Sequence, residues 1–248
     1  MPVHKLSQDM KKLLVMWAVA TAAGIFFILN IHKIFPTMLP PEATHQAHSV
    51  DFTLGFFTVL AVPIAMFVWL LAAFMVVKTG SREFPDTEGP AIHGNAKIQT
   101  AWLASTALLC VGLVVYGLAL LPSVYTPRPG KNLVVDVVGS QWQWAFKYPQ
   151  YHNIETTTLR LPLNQPVTFD VHSVDVIHSF WVPAFGIKVD ANPGEITTAY
   201  VQPRVAGTYT VRCAELCGLY HAYMQAPVKV TSSSAFSSWV AAKEKGVA

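Results

Sequence analysis

The stretch LPSVYTPRPGKNLVVDVVGSQWQWAF, residues 121–146, carries the change of composition on which the fold turns. Up to Leu121 the chain is dominated by long apolar runs. From Pro122 onward, proline and glycine punctuate short segments rich in β-branched residues. Upstream lie LLVMWAVATAAGIFFILNI (Leu13–Ile31), a second run from Phe52 to Val77 and a third from Thr100 to Leu121. Each approaches or exceeds the roughly 20 residues that a helix needs to cross a bilayer, and none has a charge in its interior. Pro63 and Gly112 lie inside such runs, where lipid-embedded helices tolerate them. Downstream, NLVVDVVGSQWQWAF, TTTLRLP, PVTFDVHS, ITTAYVQP, GTYTVRC and APVKV are strand-length pieces separated by turn residues. They predict an all-β sandwich or barrel of about 100 residues. The expected division is an anchor over 1–122, with helices at about 13–31, 52–77 and 100–121. A β domain follows over 123–231, and then a serine-rich tail, 232–248, with a short surface helix in FSSWVAAKEK.

Totals agree with a membrane anchor. Hydrophobic residues make up 52% of the 248 and charged residues 12%, about half the charged share of an ordinary soluble domain. A net charge of +3 without a dense basic run excludes nucleic acid as a partner. Lysines 5, 11 and 12 precede the first span, and Lys78, Arg82 and Lys97 fall between the second and third, against Lys33 alone between the first and second. By the positive-inside rule the N-terminus is cytoplasmic, and three crossings put the β domain on the outer face. The first run is long for a signal-peptide core and lacks a small-x-small cleavage pattern after Ile31, so a retained helix is expected. Three cysteines make no disulfide framework. Cys110, inside an apolar run, reads as a small hydrophobe.

The other two cysteines sit in CAELCGLYHAYM, residues 213–224. Cys213, Cys217, His221 and Met224 follow one another at intervals of four, four and three in a loop between two strands, with Gly218 allowing a tight turn. Thiolate, imidazole and thioether together select copper over hard cations. DVIHSFWVP offers a further ligand in His178, at the end of a strand-like run and flanked by Phe180 and Trp181. A single-copper electron-transfer site uses one cysteine. Two thiolates can instead bridge two coppers, each capped by a histidine, so that one electron is shared and little rearranges when it moves. Zinc also accepts two cysteines and two histidines. A Cys213–Cys217 disulfide on an oxidising outer face is a further alternative, and Met224 can simply be core packing.

From Pro40 to Trp239 these residues resemble subunit II of the haem–copper cytochrome c oxidases. The family's dinuclear CuA motif, Cys-x-Glu-x-Cys-Gly-x-x-His-x-x-Met, is complete, and its upstream histidine is His178. The resemblance implies a cupredoxin-like Greek-key barrel. It implies two copper ions held by His178, Cys213, Cys217, His221 and Met224, with both cysteines bridging and Glu215 giving its backbone carbonyl. The Glu215 carboxylate would face magnesium at the boundary with subunit I. GSQWQWAFKYP resembles the family's aromatic strip, in which Trp142 would receive electrons from the donor, although a WxW pair in a strand is more commonly core packing. GPAIHGNAKIQTAW and PAFGIKVDANPG, the latter with Lys188 and Asp190, also match. Implied partners are subunit I and subunit III, membrane lipid, and cytochrome c or a small copper protein as donor. The implied setting is a bacterial-type inner membrane, and the implied reaction is reduction of oxygen to water with proton pumping. Oxygen chemistry would belong to subunit I.

Departures from the family pattern carry their own expectations. Gln99 stands where many relatives have a glutamate at the mouth of a proton path, and glutamine releases no proton. The path then starts at Glu83, Asp86 or Glu88, or is little used. Lys147 replaces an acid near the aromatic strip while Asp175 is retained, so the donor is expected to be neutral or acidic and to dock through apolar contacts. Ser140 replaces the family's histidine before Gln141. His45 and His48, three apart in the outer loop, read as solvated, and His93 as hydrogen-bonded within a turn. His4, His32, His152 and His172 have no ligand spacing. The rivals are a quinol oxidase subunit, which lacks the copper ligands, the CuA domain of a nitrous oxide reductase, and a membrane-tethered copper carrier or chaperone.

Overall fold

A computed structural model describes residues 3–35, 40–79, 94–127 and 129–246. Glu83, Asp86, Glu88 and His93 lie outside the described residues. The chain divides into two compact units, Met1–Leu39 with Thr53–Leu118, and Pro40–Phe52 with Ala119–Ala248.

The helices are α1 (Val3–Leu29), a single turn α2 (Ile31–Ile34), α3 (His45–Thr79) and α4 (Ala96–Tyr125). All three long helices begin before the apolar run that predicts them, and polar caps mark the starts of α3 and α4. The Thr44 hydroxyl accepts from the Ala47 amide at 3.0 Å at the start of α3. The Asn95 side chain accepts from the Lys97 amide at 3.0 Å at the start of α4. Among the described residues three segments, Gln8–Leu29, His45–Val77 and Ala96–Pro122, are long and apolar enough to cross a membrane. None of the residues in the most apolar windows of α3 and α4 is buried, as expected where lipid rather than protein covers them. Sparse, specific contacts join the helices: the Trp17 indole donates to the Pro63 carbonyl at 2.7 Å, and Tyr116 of α4 stacks on Phe56 of α3 at 5.3 Å.

In the second unit, ten strands form two sheets: β1 (Leu133–Ser140), β2 (Gln143–Tyr148), β3 (Ile154–Thr156), β4 (Leu159–Pro162), β5 (Val167–Ser173), β6 (His178–Val182), β7 (Ile187–Ala191), β8 (Thr197–Val201), β9 (Gly207–Cys213) and β10 (Gln225–Thr231). One sheet is ordered β3-β2-β1-β5-β8 and the other β4-β10-β9-β6-β7. The all-β expectation holds. The long segment 132–146 is two antiparallel strands, not one, with its turn at Gln141 and Trp142. Buried and half-buried residues alternate along β1 and β5, the period-two pattern of strands with one face in a core. That core contains Trp144, Phe146, Phe169, Phe180 and Leu161, all essentially inaccessible, each stabilising the fold by about 2–3 kcal/mol on burial.

Two peripheral pieces complete the core. Helix α5 (Ser233–Glu244), capped by the Ser232 hydroxyl, buries Phe236 and Val240. Residues 40–49 form a strap: the Ala43 amide donates to the Ala184 carbonyl, the Arg204 amide to the Ala43 carbonyl, both at 2.8 Å, and the Thr44 hydroxyl to the Phe185 carbonyl at 2.7 Å. His45 and His48, expected in a loop, occupy the first turn of α3. His48 contacts Glu42 at 2.7 Å and His45 lies 3.4 Å from the Ser49 hydroxyl.

Candidate metal centre

Cys213 ends β9, and the loop 214–224 returns to β10. Antiparallel pairing puts Phe180 of β6 opposite Cys213, so His178, two residues before Phe180, is delivered to the base of that loop. His178 therefore begins a strand and does not end one. Main-chain bonds hold the loop at both ends: the Cys213 amide donates to the Met224 carbonyl and the Ala214 amide to the Ser179 carbonyl, both at 3.0 Å. A 3-10 turn, His221–Tyr223, turns the His221 ring back toward the cysteines.

The donors form one connected group. His178 Nδ1 lies 3.9 Å from Cys213 Sγ, Cys213 Sγ 3.7 Å from Cys217 Sγ, and Cys217 Sγ 3.6 Å from His221 Nδ1 and 3.8 Å from Met224 Sδ. A nitrogen and a sulfur bound to one ion at about 2.0 and 2.3 Å, at a tetrahedral angle, stand about 3.5 Å apart. The residues therefore fit metal. The two sulfurs occupy the middle, with one histidine beside each. Both cysteines are free thiols, so the disulfide alternative is not the arrangement found. The Glu215 carbonyl oxygen lies 3.2 Å from Cys213 Sγ, while the residue as a whole is exposed. Its carbonyl and carboxylate thus belong to different environments.

Burial sets the chemistry. His178 and Met224 are fully buried, Cys213 and Cys217 nearly so, and His221 is half-buried. Burial, with the adjoining Cys213 thiol adding to it, pushes the Cys217 thiol up to about 11. Both features favour a protonated thiol at neutral pH, so metal binding there releases protons.

Several contributors escaped sequence reading. Asp175, expected among docking acids, stays exposed as a residue but turns its carboxylate to His178. Its Oδ1 lies 2.8 Å from His178 Nε2, and its Oδ2 accepts from the Gln141 amide at 2.6 Å. Partial burial pushes its carboxyl up, but the bonds from the Gln141 amide, His178 and the Val176 amide outweigh this and hold it at about 2. An ionised Asp175 fixes the proton of His178 on Nε2 and leaves Nδ1 for a metal. The readable signal was the D-x-x-H spacing. Gly139 of β1 makes room for the same ring, since a Cβ there would meet His178 Cδ2 at 3.0 Å.

The two tryptophans of the WxW pair separate. Trp144 points into the core at 1% exposure, in the commoner role for such a residue. Trp142 is half-buried, with its ring 4.9 Å from Tyr220 and closely packed on Gly218. A Cβ at Gly218, whose φ is +121°, would lie 3.3 Å from the indole nitrogen. Lys147 lies five residues beyond Trp142 and is 3.4 Å from Glu155. Its charge is thus balanced on the sheet face.

Known proteins similar to this chain share one description. A family model described as cytochrome c oxidase subunit II, periplasmic domain, matches residues 155–232. A cytochrome c oxidase subunit 2 of Thermostichus vulcanus is 30% identical, over 82% of this chain and 77% of the relative. One from Cereibacter sphaeroides is 29% identical, over 82% and 79% respectively. Among solved structures, the periplasmic domain of subunit II of cytochrome oxidase of Bradyrhizobium japonicum is 31% identical. It covers 48% of this chain and 99% of that one, with a TM-score of 0.46.

Proposed function

Because this chain belongs to the cytochrome c oxidase subunit 2 family, we propose that it is the electron-accepting subunit of a haem–copper terminal oxidase. It takes single electrons from cytochrome c or a small copper protein beside Trp142. It delivers them to haem in subunit I, where oxygen is reduced to water with proton translocation. In this reading His178, Cys213, Cys217, His221, Met224 and the Glu215 carbonyl hold two copper ions. Two coppers held by these residues would supply a one-electron store. The exposed Glu215 carboxylate is assigned to magnesium at the boundary with subunit I, and subunit III completes the partners. The chain would sit in a bacterial-type inner membrane with its N-terminus cytoplasmic and the sandwich periplasmic.

The observation that carries this reading is the central sulfur pair, 3.7 Å apart, with a histidine nitrogen 3.6–3.9 Å from each. The protein's own residues have separate tasks. Asp175 orients His178, the loop and β6 exclude water from the sulfurs, and Trp142 occupies the outer side of Gly218. The donor face is apolar: Leu216, Leu219 and Tyr223 are each about 80% exposed. With the Asp175 carboxylate bonded to His178 and Lys147 paired, this supports apolar docking of a neutral or acidic donor. Turnover with a basic cytochrome c is expected to fall little as salt rises, and a steep fall would refute that choice of donor. Metal analysis of the purified complex should find two coppers in this subunit, with the unpaired spin divided over two nuclei. One copper, or native zinc, would overturn the assignment.

A further inference from the structure

The turn that carries Trp142 is joined to the ligand-bearing segments at two points, and both belong to Gln141. Its side-chain amide donates to the Cys217 carbonyl at 2.7 Å. Its main-chain amide donates to Asp175 at 2.6 Å, the carboxylate that holds His178. Trp142 has no such tether on its own ring: among the described residues its buried indole nitrogen has no hydrogen-bond partner. Edge contact with Tyr220 and packing on Gly218 limit how the ring tilts. Neither fixes how far the turn stands from the loop. A directional bond between the β1–β2 turn and Cys217 does so, because it spans 76 residues of sequence and leaves the amide little freedom.

From this juxtaposition we infer that Gln141 is a positioning residue for electron uptake. It ties the Trp142 turn to the Cys217 main chain on one side and to the Asp175–His178 pair on the other. The inference rests on the proposed electron-accepting role. The step it serves moves one electron: the donor loses it and the copper pair gains it, with no bond made or broken. Gln141 itself is not a ligand, and only its side-chain bond can be removed by substitution, since the main-chain bond to Asp175 survives in any variant but proline.

The test uses the intact oxidase complex carrying Gln141→Leu, and Gln141→Glu as a second variant of nearly the same shape. Glutamate cannot donate to the Cys217 carbonyl when ionised, so either variant decides the question if the other fails to assemble. Copper content and the two-nucleus spin signature are measured first. The rate of copper reduction by a flash-reduced donor, the donor dissociation constant and the onward rate to haem follow. Uptake should slow about tenfold, the size expected when one bond to a positioned group is lost. Copper content, spin signature, donor affinity and onward rate should stay at the wild-type level. Uptake within twofold of wild type overturns the inference. So does a parallel loss of copper or of the spin signature, which would make Gln141 a support of the ligand loop alone. An unsubstituted complex whose copper a donor does not reduce would defeat the electron-accepting role itself, and the inference with it.

Discussion

The membrane helices and the sandwich use the same large apolar residues and place them oppositely. On the helices, Trp69, Trp102 and Leu108 are more than 70% exposed, whereas in the sandwich Trp144, Phe169 and Phe180 are essentially inaccessible. The surrounding solvent accounts for the difference. Hydrocarbon is as apolar as leucine and gives helices little reason to bury it, while their main-chain groups are already bonded within each segment. Water drives the sandwich's apolar groups inward. The ligand loop departs from the sandwich's pattern: Leu216, Leu219 and Tyr223 stand outward as helix residues do. On a surface that water covers, such exposure supports the proposed docking of a donor there.

Substitutions can break or sharpen this contrast. The largest effect is expected at Trp144, where Trp144→Ala should lower stability by about 3–5 kcal/mol, read as a fall in the thermal midpoint. A loss below about 1 kcal/mol would mean that this core is loosely packed. Next, Leu108→Arg on α4 should cost about 2.5–3.5 kcal/mol of membrane insertion, measured by the inserted fraction in a translocation assay. Unimpaired insertion would show that this face does not meet lipid. Asp175→Asn should weaken copper binding about 10- to 100-fold by releasing the His178 ring, scored by competition with a chelator, and unchanged affinity would remove Asp175 from the site. The smallest stability effect belongs to Leu219→Ser, within about 0.5 kcal/mol of wild type, although donor affinity should fall. Unaltered affinity would assign the exposed loop to something other than docking.

Much of the site was readable because its ligands are close in sequence. Cys213, Cys217, His221 and Met224 lie within one loop, so their spacing alone limits where their donors can meet. The spans were readable for a similar reason, since hydropathy accumulates along a single segment. Asp175 was harder to place because a carboxylate three residues before a histidine can face water or the ring. Only the loop between β5 and β6 decides which. The strap 40–49 gave no periodic signal, since its role is to satisfy main-chain groups of Ala184, Phe185 and Arg204, far away in sequence.

By itself the sequence determined three lipid-soluble segments, an all-β second half and a sulfur-rich ligand set. Those are properties of composition and of neighbours along the chain, which no packing arrangement alters. Tertiary structure alone decided that Trp144 is core and Trp142 half-buried against Gly218, that Asp175 bonds to His178, and that Gln141 spans from one turn to the other. Each of these depends on strand register and on which main-chain groups meet across the two sheets, and pairing between distant segments is information that no local pattern contains.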